Sequence, residues 1–301
     1  MNDVLIIGGG AAGLGAALYS ARFSLNTTVI AKDFGGTGNI AHKVDNWIGE
    51  PGITGPELME KFVTHVKEYN VPMIAATVEK VEKKGEGFVV YAGKEKYESK
   101  TIIFANGMIH RKLGIPGEEK YSGKGVHYCY TCDGPLYGGK TIAVVGGSDS
   151  AALGALFMAG YAEKVYVIYR KEKLRAEPIS SEKVYSMKDK IEVIHNTNVT
   201  EVYGETFVTG VKTDTGKDIK LDGVFVEIGH IPLNELAKGI GVEVDAHGFI
   251  KVDKDHQTNI KGVFAAGDIT DSTSLKQFIT SASGGSIAAQ SVYHYFKKGE
   301  K

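Results

Sequence analysis

Cysteine and arginine are both scarce in this chain of 301 residues. The only cysteines are Cys129 and Cys132, in the stretch HYCYTCDG, and only four arginines occur. A structural zinc site needs four ligands, and the chain has neither a second cysteine pair nor histidines with zinc-ligand spacing, so we expect no metal site. A disulfide staple across so short a loop would constrain little of the unfolded chain. These absences favour a dithiol that cycles between reduced and oxidised forms.

Blocks of one charge sign and long uninterrupted apolar runs are also lacking. The net charge is −1 with 24% charged residues, which argues against a nucleic-acid partner. The apolar opening over 4–21 is interrupted by five glycines and preceded by Asp3, unlike a membrane span or an export signal. We therefore expect a cytoplasmic protein with no membrane partner, long enough for two domains.

The chain opens with an apolar strand, a glycine turn and an alanine-rich helix, VLIIGGGAAGLGAALYSAR. The glycine spacing G-x-G-x-x-G in this setting is the dinucleotide-binding pattern, which allows a tight turn, close approach of a pyrophosphate and packing of helix on strand. The helix N-terminus offers free N–H groups to the phosphates. The residues predicted to bind a dinucleotide here are Gly8, Gly10, Ala11, Ala12 and Gly13.

A second strand, turn and helix begins at TIAVVGGSDSAALGALFMAG, with a serine in place of the middle glycine. The strand that follows ends in basic residues, where the 2′-phosphate of NADPH would bind. A solvated basic loop without a ligand is the alternative. The residues predicted to bind NADPH are Gly146, Ser148, Asp149, Ser150, Arg170, Lys171 and Arg175.

The order of these motifs resembles the low-molecular-weight thioredoxin reductases over essentially the whole chain. The segments that carry the resemblance are GxGxxG, VDNWIGEPGITGPELM, YCYTCDGPLY, VVGGSDSA, YRKEKLRAE and GVFAAGDI. The resemblance implies an α/β fold with two Rossmann-like three-layer (ββα sandwich) nucleotide-binding domains, the second inserted in the first. A discontinuous FAD-binding domain would comprise residues 1–111 and 229–301. A pyridine-nucleotide domain that carries the dithiol would comprise residues 112–228.

The resemblance also implies roles for single residues. Cys132 would be the thiol nearest the flavin, Cys129 would exchange with thioredoxin, and Asp133 would protonate the leaving thiolate. We interpret His127 and His230 as local structural residues, because the carboxylate already fills the acid role. Besides the first glycine turn, the residues implied to bind FAD are Gly36, Thr37, Asn46, Gly267, Asp268, Lys276 and Gln277.

Several departures from the family pattern fall in the second unit. Ser148 replaces a glycine, Leu153 and Gly154 replace an acidic pair, and Tyr169 and Lys171 replace a histidine and an arginine. They leave the electron donor open between NADPH, which the basic cluster favours, and reduced ferredoxin or a reduced deazaflavin. A small-molecule dithiol oxidase and a flavin-binding redox sensor are further alternatives. We expect a homodimeric FAD enzyme that takes electrons from NADPH and reduces thioredoxin or a related dithiol protein.

Overall fold

The computed structural model describes residues 1–41, 44 and 46–299, and the side chains of residues 40, 132, 298 and 299 lie outside that description. The chain divides into two compact units. One is formed by residues 1–109 together with those from 231 onward, and the other by residues 110–230. The chain therefore leaves the first unit, completes the second and returns to finish the first.

The first part of the chain contains the strand, turn and helix that its opening sequence predicts. Strand β1 is buried on both faces, because Val4 and Ile6 pack into one apolar cluster while Leu5 and Ile7 pack into another. The elements are β1 (Asn2–Gly9), α1 (Ala11–Arg22), β2 (Thr27–Phe34), α2 (Gly55–Lys67), β3 (Met73–Ala75), β4 (Val78–Lys84), β5 (Gly87–Ala92), β6 (Glu95–Phe104) and β7 (Met108–His110).

The second unit contains a parallel sheet in the order β11-β10-β9-β15-β8 and an antiparallel sheet in the order β12-β13-β14. Its elements are β8 (Val126–His127), α3 (Tyr130–Asp133), β9 (Thr141–Val145), α4 (Asp149–Met158), β10 (Lys164–Ile168), α5 (Pro178–Ser186), β11 (Ile191–Ile194), β12 (Val199–Gly204), β13 (Val208–Thr213), β14 (Asp218–Lys220) and β15 (Gly223–Val226). Strand β16 (His230–Pro232) follows where the chain leaves this unit. A 3-10 turn, Gly134–Tyr137, follows α3. Strands β7 and β16 lie on the two connections between the units and pair with each other.

The returning chain completes the sheet of the first unit. It adds α6 (Glu235–Lys238), β17 (Val263–Ala265) and α7 (Phe278–Gly299). The strand order is β3-β2-β1-β6-β5-β4, and β17 pairs in parallel with β6. The predicted α/β class, with a second Rossmann-like unit inserted in the first, is confirmed. Of the helices in the described part of the chain, none combines the length and apolar character needed to cross a bilayer.

Helices α1 and α7 pack backbone against backbone. A Cβ at Gly285 would lie 2.0 Å from the carbonyl oxygen of Ala12, and a Cβ at Gly15 would lie 2.6 Å from that of Ala282. No side chain fits at such distances, so the spacing of the two helices depends on glycine at both positions. Since α1 begins at the first glycine turn, this contact also fixes where that turn lies relative to α7.

We expect Gly285→Ala to lower the free energy of unfolding by about 1–3 kcal/mol, because the added methyl group forces two backbones apart. The higher helix propensity of alanine, worth about 0.5–1 kcal/mol, offsets only part of this cost. Chemical denaturation of the purified protein measures the change. The adjacent substitution Ser286→Ala is the control and should change the unfolding free energy by less. Equal effects of the two substitutions would contradict the backbone contact.

Candidate active site

The first glycine turn joins β1 to α1 through contacts that only glycine permits. Gly8 has a φ of +115°, and a Cβ there would lie 2.3 Å from the carbonyl oxygen of Ala105. A Cβ at Gly13 would lie 1.9 Å from the Gly8 carbonyl oxygen. Gly10 is different, because a Cβ there would meet only the Gly35 carbonyl oxygen, at 3.9 Å. The space beside Gly10 is therefore open, as close approach of a pyrophosphate requires.

A cavity at the N-terminus of α1 contains most of the residues predicted to bind FAD. The first turn of α1 has no acidic side chain and no side-chain cap, so no carboxylate of the helix competes with a phosphate for its N–H groups. The predicted residues that line the cavity are Gly10, Ala11, Ala12, Thr37, Gly267, Asp268, Lys276 and Gln277. This arrangement fits a dinucleotide held through its phosphates.

Hydrogen bonds connect two further predicted residues to this region. Asn46 Nδ2 donates to Gln277 Oε1 at 2.9 Å, which joins the loop before α2 to the start of α7. The N–H of Gly36 donates to the Asp33 carboxylate at 2.9 Å, which closes the turn after β2. The carboxylate of Asp268 accepts a hydrogen bond from a serine hydroxyl of α7 at 2.9 Å. Of these bonds, the one between Asn46 and Gln277 joins side chains that are far apart in the sequence.

Lys276 supplies a half-buried positive charge to the same cavity. Its Nζ lies 4.5 Å from the centre of the Phe249 ring and donates to the carbonyl of Thr270. Burial lowers the pKa of this ammonium group, and the carboxylates of Asp268 and Asp271 oppose the shift. The cavity is therefore lined by this cation and by the Asp268 carboxylate, and their charges partly offset each other.

The predicted redox pair lies directly after β8. Cys129 is disulfide-bonded, and the sequence contains one other cysteine, Cys132, whose side chain lies outside the described residues. The hydroxyl of Thr131 lies 3.2 Å from Cys129 Sγ. The N–H of Asp133 donates to the Cys129 carbonyl at 3.1 Å, which forms the single turn of α3. The backbone therefore places Asp133 one helical turn after Cys129.

His127 joins Asp133 to Tyr137 beneath this turn. Its Nδ1 lies 3.0 Å from Asp133 Oδ2, and its Nε2 lies 2.7 Å from the Tyr137 hydroxyl. The His127 side chain is 7% exposed and its ring stacks on Phe225, with centroids 5.3 Å apart. Burial lowers the pKa of His127, against the opposing effect of Asp133. Burial also raises the pKa of Tyr137 to about 12, with help from the carboxylates of Asp133 and Asp222. The spacing of these three residues along the chain does not predict that they contact one another.

At the second glycine turn, two of the predicted side chains, Asp149 and Ser150, bond to other parts of the protein. Ser148 is the N-cap residue of α4 but makes no side-chain capping bond. The Asp149 carboxylate accepts from the N–H of Glu177 at 2.6 Å, and the Ser150 hydroxyl donates to the Glu227 carboxylate. The first turn of α4 thus carries an acidic residue, whereas the first turn of α1 carries none.

The basic cluster lies beside this second turn. Arg170, Lys171 and Arg175 are exposed, and the N–H of Arg175 donates to the Gly147 carbonyl at 2.6 Å. The ring of Tyr169 lies where a Cβ of Gly147 would be, within 2.5 Å. Within the described part of the chain, the buried hydroxyl of Tyr169 has no hydrogen-bond partner. A buried hydroxyl without a partner is costly to the folded protein.

The model of a protein family described as pyridine nucleotide-disulphide oxidoreductase matches residues 2–285. The chain belongs to this family. Among curated proteins, it is 38% identical to the thioredoxin reductase of Bacillus subtilis (strain 168), over 98% of this chain and 95% of that protein. It is 40% identical to the thioredoxin reductase of Mycolicibacterium smegmatis, over 96% and 94% of the two chains.

Solved structures of thioredoxin reductases also align with almost the whole chain. Lactococcus lactis thioredoxin reductase aligns with a TM-score of 0.91 at 32% identity and covers 99% of this chain and 100% of that one. A ferredoxin-flavin thioredoxin reductase from Clostridium acetobutylicum aligns with a TM-score of 0.55 at 33% identity, over 99% and 98% of the chains. Thioredoxin reductases of the family use FAD and NADPH, and the chain is a flavin-dependent oxidoreductase. The resemblance predicted from the motifs is confirmed.

One departure from the family pattern has a packing reason. A Cβ at Gly154 would lie 2.8 Å from the ring of Tyr130, the residue directly after Cys129. The same ring contacts Phe157 further along α4, with centroids 5.7 Å apart. An acidic side chain at position 154 and a tyrosine at position 130 therefore exclude each other. The neighbouring Leu153 is exposed, and nothing in the structure explains its replacement of an acidic residue.

Glu227 is a buried carboxylic acid beside the second turn, and it is not among the site residues predicted from the sequence. Glu227 is only 4% exposed, and its backbone carbonyl oxygen lies 2.1 Å from where a Cβ of Gly146 would be. Burial raises its pKa to about 7, and the hydrogen bond from Ser150 opposes the shift. The only available signal was a charged residue directly after the apolar run GVFV.

A folded-state pKa of about 7, above the ordinary 4.5, makes stability depend on pH. Between these two pH values the native protein keeps a proton that the unfolded chain has released. The stabilisation by the protonated carboxyl is therefore complete below pH 4.5 and is lost as the pH rises through 7. Between pH 5 and pH 8, the free energy of unfolding should fall by about 2 kcal/mol less in Glu227→Gln than in the unchanged protein. Denaturant unfolding at the two pH values measures it. The exposed Glu182→Gln is the control, and an unchanged pH dependence in Glu227→Gln would contradict the assignment.

Proposed function

We propose that the chain is a thioredoxin reductase that transfers two electrons from NADPH, through FAD, to the disulfide of Cys129 and Cys132 and then to thioredoxin. The observation that carries the proposal is a disulfide-bonded Cys129 with Asp133 one turn later, in a chain of this family. Relatives named thioredoxin reductase match almost the whole chain, which supports thioredoxin as the acceptor. We infer a cytoplasmic homodimer.

In this proposal, residues 1–111 and 229–301 form the FAD-binding domain. When bound, FAD supplies the two-electron chemistry that side chains lack. The open face of Gly10 and the N–H groups at the start of α1 support a role in holding its pyrophosphate. The hydrogen-bonded pair of Asn46 and Gln277 would lie beside the isoalloxazine. The remaining proposed FAD contacts are Gly8, Ala11, Ala12, Gly13, Gly36, Thr37, Gly267, Asp268 and Lys276.

The chemistry of the dithiol follows from its neighbours. Two electrons that enter the disulfide break the S–S bond and leave negative charge on both sulfurs. Asp133 would give a proton to the sulfur of Cys132, the thiol nearest the flavin. The thiolate of Cys129 would then attack the disulfide of thioredoxin. The Thr131 hydroxyl, 3.2 Å from Cys129 Sγ, is placed to donate a hydrogen bond to the thiolate and stabilise it.

NADPH is the donor that the second unit supports best. The exposed cluster of Arg170, Lys171 and Arg175 provides positive charge for a 2′-phosphate, and the backbone of Arg175 is fixed to the glycine turn. In this proposal, residues 112–228 form the pyridine-nucleotide domain. Its remaining proposed contacts are Gly146, Ser148, Asp149 and Ser150.

Reduced ferredoxin or a reduced deazaflavin is a second candidate donor. It is favoured by Ser148 in place of a glycine and by the Asp149 carboxylate in the first turn of α4, which a pyrophosphate would have to tolerate. The likeness to a structure named ferredoxin-flavin thioredoxin reductase also supports it.

Anaerobic flavin bleaching tests the donor directly. The purified yellow protein is mixed separately with NADPH, NADH, reduced ferredoxin and reduced deazaflavin, and the flavin absorbance is followed. We expect fast bleaching by NADPH and slower bleaching by NADH. Bleaching by ferredoxin or deazaflavin alone would replace NADPH by the second candidate. Reoxidation of the bleached protein by thioredoxin disulfide then tests the acceptor.

Arg175→Ala should raise the KM for NADPH about tenfold or more, because a charge-assisted bond to the 2′-phosphate is worth about 1.5–3 kcal/mol. The KM for NADH should change little, since NADH has no 2′-phosphate. Steady-state kinetics with both nucleotides measures the two effects. Lys173→Ala, an exposed cation in the same loop, is the matched control. An equal rise in both KM values would mean that the cluster does not recognise the 2′-phosphate.

A further inference from the structure

His127 is the residue of β8 whose side chain reaches the proposed acid of the dithiol. Its Nδ1 lies 3.0 Å from Asp133 Oδ2, and it is 7% exposed while the Asp133 side chain is 35% exposed. The imidazole therefore contacts the carboxylate from the protein interior, and the carboxylate keeps access to solvent. A contact of this kind constrains where the carboxylate points.

The tautomer of His127 follows from its two partners. An ionised carboxylate only accepts hydrogen bonds, so Nδ1 must donate to Asp133. In a neutral imidazole the other nitrogen then accepts, and the Tyr137 hydroxyl, 2.7 Å away, is the donor that it meets. Burial favours the neutral ring by lowering the pKa of His127. Burial also keeps Tyr137 protonated, since its pKa is raised to about 12.

The surroundings hold this arrangement in place. The ring of His127 stacks on Phe225 of β15, with centroids 5.3 Å apart, and meets the Tyr137 ring edge-on at 5.4 Å. The charged groups that face this cluster are Asp133 on α3, Asp222 before β15, and Lys140, whose Nζ lies 5.4 Å from the centre of the Tyr137 ring. The ring is thus fixed by packing on one side and by hydrogen bonds at both nitrogens.

We propose that His127 is a positioning residue for the dithiol: its Nδ1–H holds Asp133 Oδ2 beside the Cys129 turn, and Tyr137, by donating to Nε2, fixes the tautomer that does so. The inference rests on the proposed disulfide reduction. Because Oδ2 accepts from Nδ1–H, a proton on the carboxyl must lie on Oδ1. When two electrons, which FAD would supply, break the S–S bond, one sulfur takes that proton and the other is left as a thiolate. The partly exposed carboxylate then regains a proton from solvent.

The variants separate positioning from packing. His127→Phe keeps an aromatic ring against Phe225 but loses both hydrogen bonds. His127→Asn restores a short N–H donor toward Asp133 without the ring. Tyr137→Phe leaves the imidazole in place but removes the group that fixes its tautomer. Asp133→Asn provides the background in which the carboxyl acid is absent.

The measurement uses the FAD-loaded protein, fully reduced by dithionite under nitrogen and mixed with an aromatic disulfide such as dithiobis(nitrobenzoate). Once the dithiol has been consumed by this acceptor, recovery of the flavin absorbance reports electrons entering the protein disulfide. Neither NADPH nor thioredoxin is needed. A protein that fails to reduce thioredoxin but recovers its flavin would disprove the proposed acceptor and still test His127.

We expect His127→Phe to slow flavin recovery about tenfold, a fraction of the effect of a general acid, and His127→Asn to restore most of the rate. Tyr137→Phe should slow recovery by less than His127→Phe. In the Asp133→Asn background, His127→Phe should cause no further loss, because the group that it positions is gone. Equal slowing in both backgrounds, or an unchanged rate in His127→Phe, would overturn the proposal. Thermal unfolding and flavin content of each variant confirm that the compared proteins are folded.

Discussion

The close contact between α1 and α7 is the constraint on which the first unit depends. With glycine at positions 15 and 285, the two backbones touch directly, and no side chain separates them. The helix that begins at the first glycine turn is thereby fixed against the helix that begins beside Gln277. Because one helix comes from the start of the chain and the other from its end, the cavity between the predicted FAD residues forms only after the chain has returned from the second unit.

The two glycine turns have different surroundings although their sequences are similar. At the first, glycines remove side chains, and the helix N-terminus carries no acidic residue. At the second, Asp149 and Ser150 are bonded to Glu177 and Glu227, so the same turn is partly filled by groups of the protein itself. The exposed basic cluster favours NADPH as the donor, whereas the carboxylates of Asp149 and Glu227 at the turn oppose the binding of its pyrophosphate.

Much of this organisation could be predicted from the sequence, because short motifs fix local geometry. The strand and helix around Gly8 follow from spacing and apolar runs, and the order of motifs along the chain is sufficient to identify the family. The contacts between distant segments could not be predicted. Nothing in the sequence links Asn46 to Gln277, and the position of Glu227 after an apolar run does not by itself predict a buried acid with a raised pKa. From the sequence alone, His127 is interpreted as a local structural residue because Asp133 already fills the acid role. Its bond to Asp133 depends on how β8, α3 and Phe225 pack, which the sequence does not show.

The fit of Tyr130 against Gly154 has a consequence for protein engineering. The ring of Tyr130 occupies the space that a side chain at position 154 would need. Grafting the acidic pair of the relatives onto α4 would therefore push on the segment between the cysteines unless position 130 is made smaller at the same time. Any redesign of this enzyme toward the family consensus therefore has to change positions 130 and 154 together.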